Sequence, residues 1–451
     1  MKVLIQICQL LLSLSILVIL HELGHFLAAR LFKTRVEKFY LFFNPWFSLF
    51  KIKRGETEYG IGWLPLGGYV KISGMIDESL DREQLKKPPK PYEFRSKPAW
   101  QRLIIMLGGV FINLILGIVL YSFVLFTWGE KYLPNENITD GIWCIDSLAL
   151  EIGLRNGDKI ISINDNYPEG YRDILGELIF GDNVKVLRDN REISIDIPDD
   201  FVGKIIEKRK GLLIYPRVPF IVLEIPDTSI NFNSGLRPKD RVIGIADYPI
   251  KYYDEYRSIT DTLKGKEIPV DILRDGKEKS INVKLSDEGK FEIIAAILDM
   301  KELELLNIYK FNTEKYSFVR AIPAGMVRAK ERLGFYIKQF KLIFNFKTGA
   351  YKGLGGFGAI GGLFPHKWEW QAFWEITAFL SLILAFMNVL PIPALDGGYV
   401  AFLLYEIITG RKPGDKFLEY AQIAGMIILV SLLLYANGND IVRLINNLLG
   451  K

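Results

Sequence analysis

The chain has 451 residues, 49% of them hydrophobic and 24% charged, with a formal net charge of +5. That length holds several domains, and that composition mixes apolar spans with ordinary soluble regions. No basic run suggests a nucleic-acid partner, and two cysteines as far apart as Cys8 and Cys144 argue against a disulfide or a cysteine zinc site.

Residues 3–29 are nearly free of charge and long enough to cross a bilayer. The run is longer than a signal-peptide core, and Arg30 follows the Ala28-Ala29 pair, so residues 1–32 read as a retained first transmembrane helix. Inside it lies His21-Glu22-Leu23-Gly24-His25, with two of the three histidines of the protein. Helix positions i and i+4 share a face, so both imidazoles can reach one ion, and Glu22 can reach a water on it. This is the H-E-x-x-H zinc pattern, with the glutamate as general base. So short a pattern also arises in soluble helices without a metal. In hydrocarbon, ionisable groups are costly and persist where they have a partner and a task.

Basic residues crowd the next connection: Arg30, Lys33, Arg35, Lys38, Lys51, Lys53 and Arg54, then Arg95, Lys97 and Arg102. The positive-inside rule places residues 33–99 in the cytoplasm and the metal motif in the cytoplasmic half of the first span. Within this loop, residues 58–74 (EYGIGWLPLGGYVKISG) are apolar, β-prone and broken by glycine. They read either as a surface hairpin or as a hairpin, about 56–76, dipping into the membrane beside the metal. Residues 79–91 are polar, with Pro88, Pro89 and Pro91, and read as a mobile linker. A second span over 100–128 carries Gly108-Gly109 and Asn113; small residues let helices approach, and an asparagine can hydrogen-bond across them.

A repeat dominates the following stretch. Gly153-Leu154-Arg155-Asn156-Gly157-Asp158-Lys159-Ile160-Ile161 matches Gly235-Leu236-Arg237-Pro238-Lys239-Asp240-Arg241-Val242-Ile243. Leu187-Arg188-Asp189 is echoed by Leu273-Arg274-Asp275, with an alternating strand after each. Two tandem β-rich domains are expected, at 129–216 and 217–306. The pattern resembles bacterial PDZ domains, which bind extended peptides by strand addition. Neither copy shows a clear carboxylate-binding loop, so a peptide-binding role stands beside a filter or spacer role. Lys239 replaces Gly157 in the second copy, so the turn there is expected to differ.

Residues 307–370 read as an amphipathic helix on the bilayer surface followed by a flexible glycine-rich connector, GLGGFGAIGG, that lacks the P-loop pattern. Trp368, Trp370 and Trp374 form an interfacial belt. A third span over 371–403 contains Asn388-Val389-Leu390-Pro391-Ile392-Pro393-Ala394-Leu395-Asp396-Gly397-Gly398, whose prolines break the helix. A fourth span covers 417–437 and leaves a tail, 438–451. Four spans with both termini outside satisfy the charge rule.

Catalytic zinc takes three protein ligands plus water. Glu375 lies too near the outer entrance and Glu406 at the inner edge, whereas Asp396 has the correct depth and sits in a broken helix. The expected site is therefore His21, His25 and Asp396 as ligands, with Glu22 as base.

Three motifs then form a set: HELGH, Gly109-x-x-x-Asn113 and N-x-x-P-x-P-x-L-D-G. The chain resembles the site-2 protease family of intramembrane zinc metalloproteases, in particular its sigma-E-regulating bacterial branch. The likeness covers the whole chain, with Val110 departing from a proline that many relatives carry. The resemblance implies a polytopic α-helical inner-membrane protein, with a membrane-associated β-hairpin and two extracytoplasmic PDZ domains. It implies regulated cleavage of single-span membrane proteins, such as an anti-sigma factor already trimmed outside, and of remnant signal peptides. It carries the third zinc ligand to Asp396 and a substrate-contacting asparagine to Asn388. The glycine-rich hairpin, Gly67-Gly68-Tyr69-Val70, would pair with an unwound substrate. A non-catalytic scaffold with a relict metal site is the rival class, against which the intact Glu22 weighs. A zinc transporter is a second rival, disfavoured by four spans with no further chain of intramembrane acids.

Overall fold

The computed structural model describes residues 2–65, 67–75, 88–208, 212–295, 298, 300–345 and 348–448. The chain divides into two compact units. One comprises Met1–Glu130, Lys315–Lys341 and Tyr351–Lys451; the other comprises Lys131–Glu314 and Leu342–Ala350.

Among the described residues of the first unit, four helices are long and apolar enough to cross a membrane: Lys2–Leu31, Ala99–Trp128, Trp370–Val389 and Lys416–Asn446. The second runs unbroken through Val110. Glycines set how closely the first two approach, since a Cβ on Gly24 would strike the carbonyl of Gly108. The third is pinned by hydroxyls: Thr377 donates to Ser13 (3.0 Å) and Ser381 to the carbonyl of Asn113 (2.7 Å).

Two boundaries differ from expectation. The third span stops at Val389, and a separate helix, Asp396–Thr409, follows. Pro391 and Pro393 lack the N–H a helix needs and push the residues before them out of helical conformation. Ala394 then turns the chain with a left-handed φ of 77°. The last helix runs from Asp415 to Leu448, so most of the expected tail is helical; residues 449–451 lie outside the described residues. Its C-terminal turns hold the glycine-rich connector, which is therefore not a free linker. Asp440 accepts N–H groups from Gly356 (2.9 Å) and Ala359 (3.1 Å), and Arg443 donates to the carbonyl of Gly353 (2.8 Å). A side chain on Gly356 or Gly358 would collide with Asn437 or Asp440.

The charged helix Phe318–Ile343 buries Arg328, which donates to Glu130 (2.7 Å) and lies 3.8 Å from Glu375. Its opening residues Phe318 and Val319 are exposed.

The loop after the first span forms a sheet of β1 (Val36–Leu41), β2 (Phe50–Arg54), β3 (Thr57–Ile61) and β4 (Tyr69–Ile72), in the order β2-β3-β1-β4. Residues 58–74 are thus not a hairpin. β3 pairs antiparallel with β2 and parallel with β1, while β4 lies antiparallel on the other side of β1. Gly60 lets this happen, because the ring of Tyr40 on β1 occupies the place of its missing side chain. The apolar projection is the β1–β2 loop, where Trp46 and Phe47 stack on Trp63 and Trp46 is 90% exposed. Residues 79–87 of the expected polar linker, and 76–78 before it, lie outside the described residues.

The second unit shows its repeat as geometry. Strands Lys159–Ile163, Asn183–Arg188 and Arg191–Asp196 correspond to Arg241–Ile245, Glu267–Arg274 and Lys277–Lys284. In the first copy Ile142–Cys144 pairs antiparallel with Ile214–Pro216; in the second Phe220–Glu224 pairs with Ile294–Ala295. One buried pin recurs. Arg188 binds both oxygens of Asp158 (2.7 Å each) and the carbonyl of Gly153, and Arg274 does the same to Asp240 (2.7 and 2.6 Å) and Gly235. The expected difference at Lys239 is absent: its φ of 76° matches the 91° of Gly157. The N–H of Lys239 bonds to Val222 and Asp240 caps Arg237, so the surrounding turn dictates the conformation. Arg217, at the junction of the copies, donates its main-chain N–H to the carbonyl of Gly141 in the first (3.1 Å), while its guanidinium pairs with Asp254 and Glu255 of the second and lies 4.0 Å from the ring centroid of Tyr252. Burial pushes the Cys144 thiol up to about 12, leaving it unreactive.

Candidate metal centre

The first span presents His21 and His25 one turn apart, both buried, with their rings edge to face. The break in the third span delivers the third group. Gly397 and Gly398 allow the helix restarting at Asp396 to fold tightly back, since a Cβ on either would hit the backbone of residues 389–393. Gly425 of the last helix makes room for the carbonyl of Pro393.

Three atoms converge as a result. The Nε2 atoms of His21 and His25 are 3.2 Å apart, and Asp396 Oδ2 lies 3.3 and 3.2 Å from them. This is the one group of three or more such side chains close enough to share an ion among the described residues. His25 Nδ1 lies 2.8 Å from the carbonyl of Ile105, which only accepts, so Nδ1 carries a proton and in the neutral ring Nε2 is bare. Asp396 Oδ2 is buried without a hydrogen-bond partner. Converging lone pairs repel unless a cation lies among them. Edges of 3.2–3.3 Å belong to a tetrahedron whose centre lies about 2.0 Å from each corner, the distance at which zinc binds imidazole and carboxylate. The donor set fits zinc, which His21, His25 and Asp396 would hold.

Other candidate residues gather nearby. Asn388 Nδ2 is 3.4 Å from His21 Nε2. A Cβ on Gly68 would sit 3.4 Å from Glu22 Cγ and closer still to Val18, so the start of β4 abuts the turn that carries Glu22. Gly67 takes a positive φ of 144°, Tyr69 donates to Asn44 (2.8 Å), and Val70 pairs with Phe39. The two rejected acids are engaged elsewhere, Glu406 with Arg102 (2.5 Å) and Glu375 near Arg328.

Sequence reasoning missed the second span's part. Ile105, Gly109 and Asn113 recur every four residues, on one helix face. Ile105 supplies the carbonyl for His25, and a Cβ on Gly109 would run into both imidazoles. Asn113 Nδ2 lies 3.1 Å from His21 Nδ1. A glycine and an asparagine four apart in an apolar helix were the available signal; a backbone carbonyl leaves none.

A metallopeptidase motif on a membrane-length helix, completed by a carboxylate from a broken one, defines a membrane-resident zinc metalloprotease of the site-2 type. The description "Peptidase family M50" matches residues 9–432, and the chain belongs to that family. Three curated bacterial proteins, each named a "putative zinc metalloprotease", are similar over nearly their whole length. The one from Thermotoga maritima is 25% identical over 96% of this chain and 98% of its own. That from Treponema pallidum is 25% identical, over 95% and 97%. That from Rickettsia conorii is 28% identical, over 98% and 99%.

Proposed function

We propose that the protein hydrolyses peptide bonds inside the membrane segments of single-span proteins, with His21, His25 and Asp396 holding zinc and Glu22 acting as base. Its substrates are anti-sigma-type proteins already trimmed outside, and remnant signal peptides. The convergence of three buried donor atoms on membrane-length and membrane-broken helices carries this reading. Bound zinc lowers the pKa of water toward neutrality and polarises a carbonyl. Glu22 accepts the proton of the attacking water and returns it to the leaving amine.

A helical substrate hides its carbonyls in its own hydrogen bonds and must unwind first. The freed groups then need partners in a dry setting. The segment Gly67-Gly68-Tyr69-Val70, at the sheet edge beside Glu22, receives them by strand addition, and Asn388 adds a side-chain amide. The basic loops support a site in the cytoplasmic half of a bacterial inner membrane, with both termini and the repeats outside.

The repeats are PDZ domains acting as a filter against bulky outer domains. In the first copy, strand Ile214–Pro216 pairs on one side with Ile142–Cys144. The carbonyl of Ile214 faces the other way and accepts the Tyr171 hydroxyl at 2.6 Å. That group is one an added peptide strand would need, which disfavours peptide capture there. Substrates trapped on Glu22→Gln protein and identified by mass spectrometry test the substrate class. Single-span proteins and signal peptides are expected; soluble proteins alone would refute it.

A further inference from the structure

We propose that Asn113 positions His21 for zinc, its amide oxygen accepting the His21 Nδ1 proton so that Nε2 faces the ion bare. This rests on reading His21, His25 and Asp396 as the ligands. A metal-binding imidazole needs its second nitrogen to donate, and that partner fixes tautomer and ring orientation. For His25 the carbonyl of Ile105 does this unambiguously. For His21 the group in reach is the Asn113 amide, at 3.1 Å, on a side chain with 0% exposure.

The amide has two orientations with opposite consequences. With Nδ2 toward His21, the ring proton moves to Nε2, on the metal side, and Asn113 Oδ1 is left buried without a partner. Turned by half a rotation, the amide presents Oδ1 to Nδ1 and selects the tautomer that can bind zinc. The rest of the residue is fixed for the task, because Ser381 donates to its main-chain carbonyl at 2.7 Å. Asn113 is thus a positioning residue that acts through His21.

Asn113→Leu keeps the volume and removes the acceptor. Asn113→Asp keeps an acceptor and cannot donate when ionised. Zinc dissociation constants of the purified full chain, measured by chelator competition, separate the possibilities. Asn113→Leu is expected to weaken zinc binding by about 10- to 100-fold, and Asn113→Asp to hold zinc at least as tightly as wild type. Asn113→Ala reads the same loss if the leucine variant does not fold. Leucine or alanine variants binding zinc like wild type would show that Asn113 only fills space and would overturn the proposal. So would an aspartate variant as weak as the leucine one. Wild-type protein without stoichiometric zinc would instead overturn the ligand assignment on which the proposal rests.

Discussion

At the scale of single residues, the centre is local on one side and remote on the other. His21 and His25 are a turn apart and legible from spacing alone, because helix geometry fixes their common face. Asp396 was accessible only through membrane depth and the proline break. The partners of the imidazoles were not legible, since Ile105 contributes a backbone carbonyl and the target of Asn113 depends on how two helices rotate. Lys239 shows the converse failure. A lysine in place of glycine suggested a changed turn, yet its neighbours hold it left-handed at φ 76°. A side chain there costs about 1 kcal/mol, partly offset because glycine loses more freedom on folding. Lys239→Gly should therefore slow amide exchange in strand Arg241–Ile245 of the full chain by roughly two- to fivefold. Unchanged or faster exchange would contradict the account.

Among elements, the four-stranded sheet departs furthest from expectation. Apolar alternation identified β3 and β4 as strands but cannot name their partners, and the parallel pairing of β1 with β3 has no local signature. What survives is the position of β4, an edge strand whose entry touches the helix turn of Glu22. Proline at Val70 removes a backbone donor from that strand. Val70→Pro is expected to lower cleavage at least about tenfold while zinc content stays at the wild-type level, since no ligand lies on the sheet. Normal turnover in this variant would refute strand addition at β4. The glycine-rich connector makes a related point: glycines that read as flexibility serve close approach to Asn437 and Asp440.

For the whole molecule, hydropathy and repetition were the readable signals. Four apolar helices and two copies of one β-rich pattern follow from composition and period, whereas helix ends near proline and the length of the last helix depend on contacts far along the chain. If the repeats act as a filter, a chain lacking Lys131–Glu314 should cut substrates that still carry their outer domains, which the intact chain leaves uncut. Loss of cleavage of trimmed substrates would favour peptide capture instead. The proposed reaction needs zinc held by His21, His25 and Asp396 to work with Glu22. Zinc content and cleavage of a single-span substrate, measured together for wild-type and Glu22→Gln protein in lipid, test it most directly. One zinc per chain in both proteins, with cleavage at least about 100-fold slower in the variant, is the predicted result. Cleavage by the variant at the wild-type rate, or wild-type protein that cuts without zinc, would contradict it.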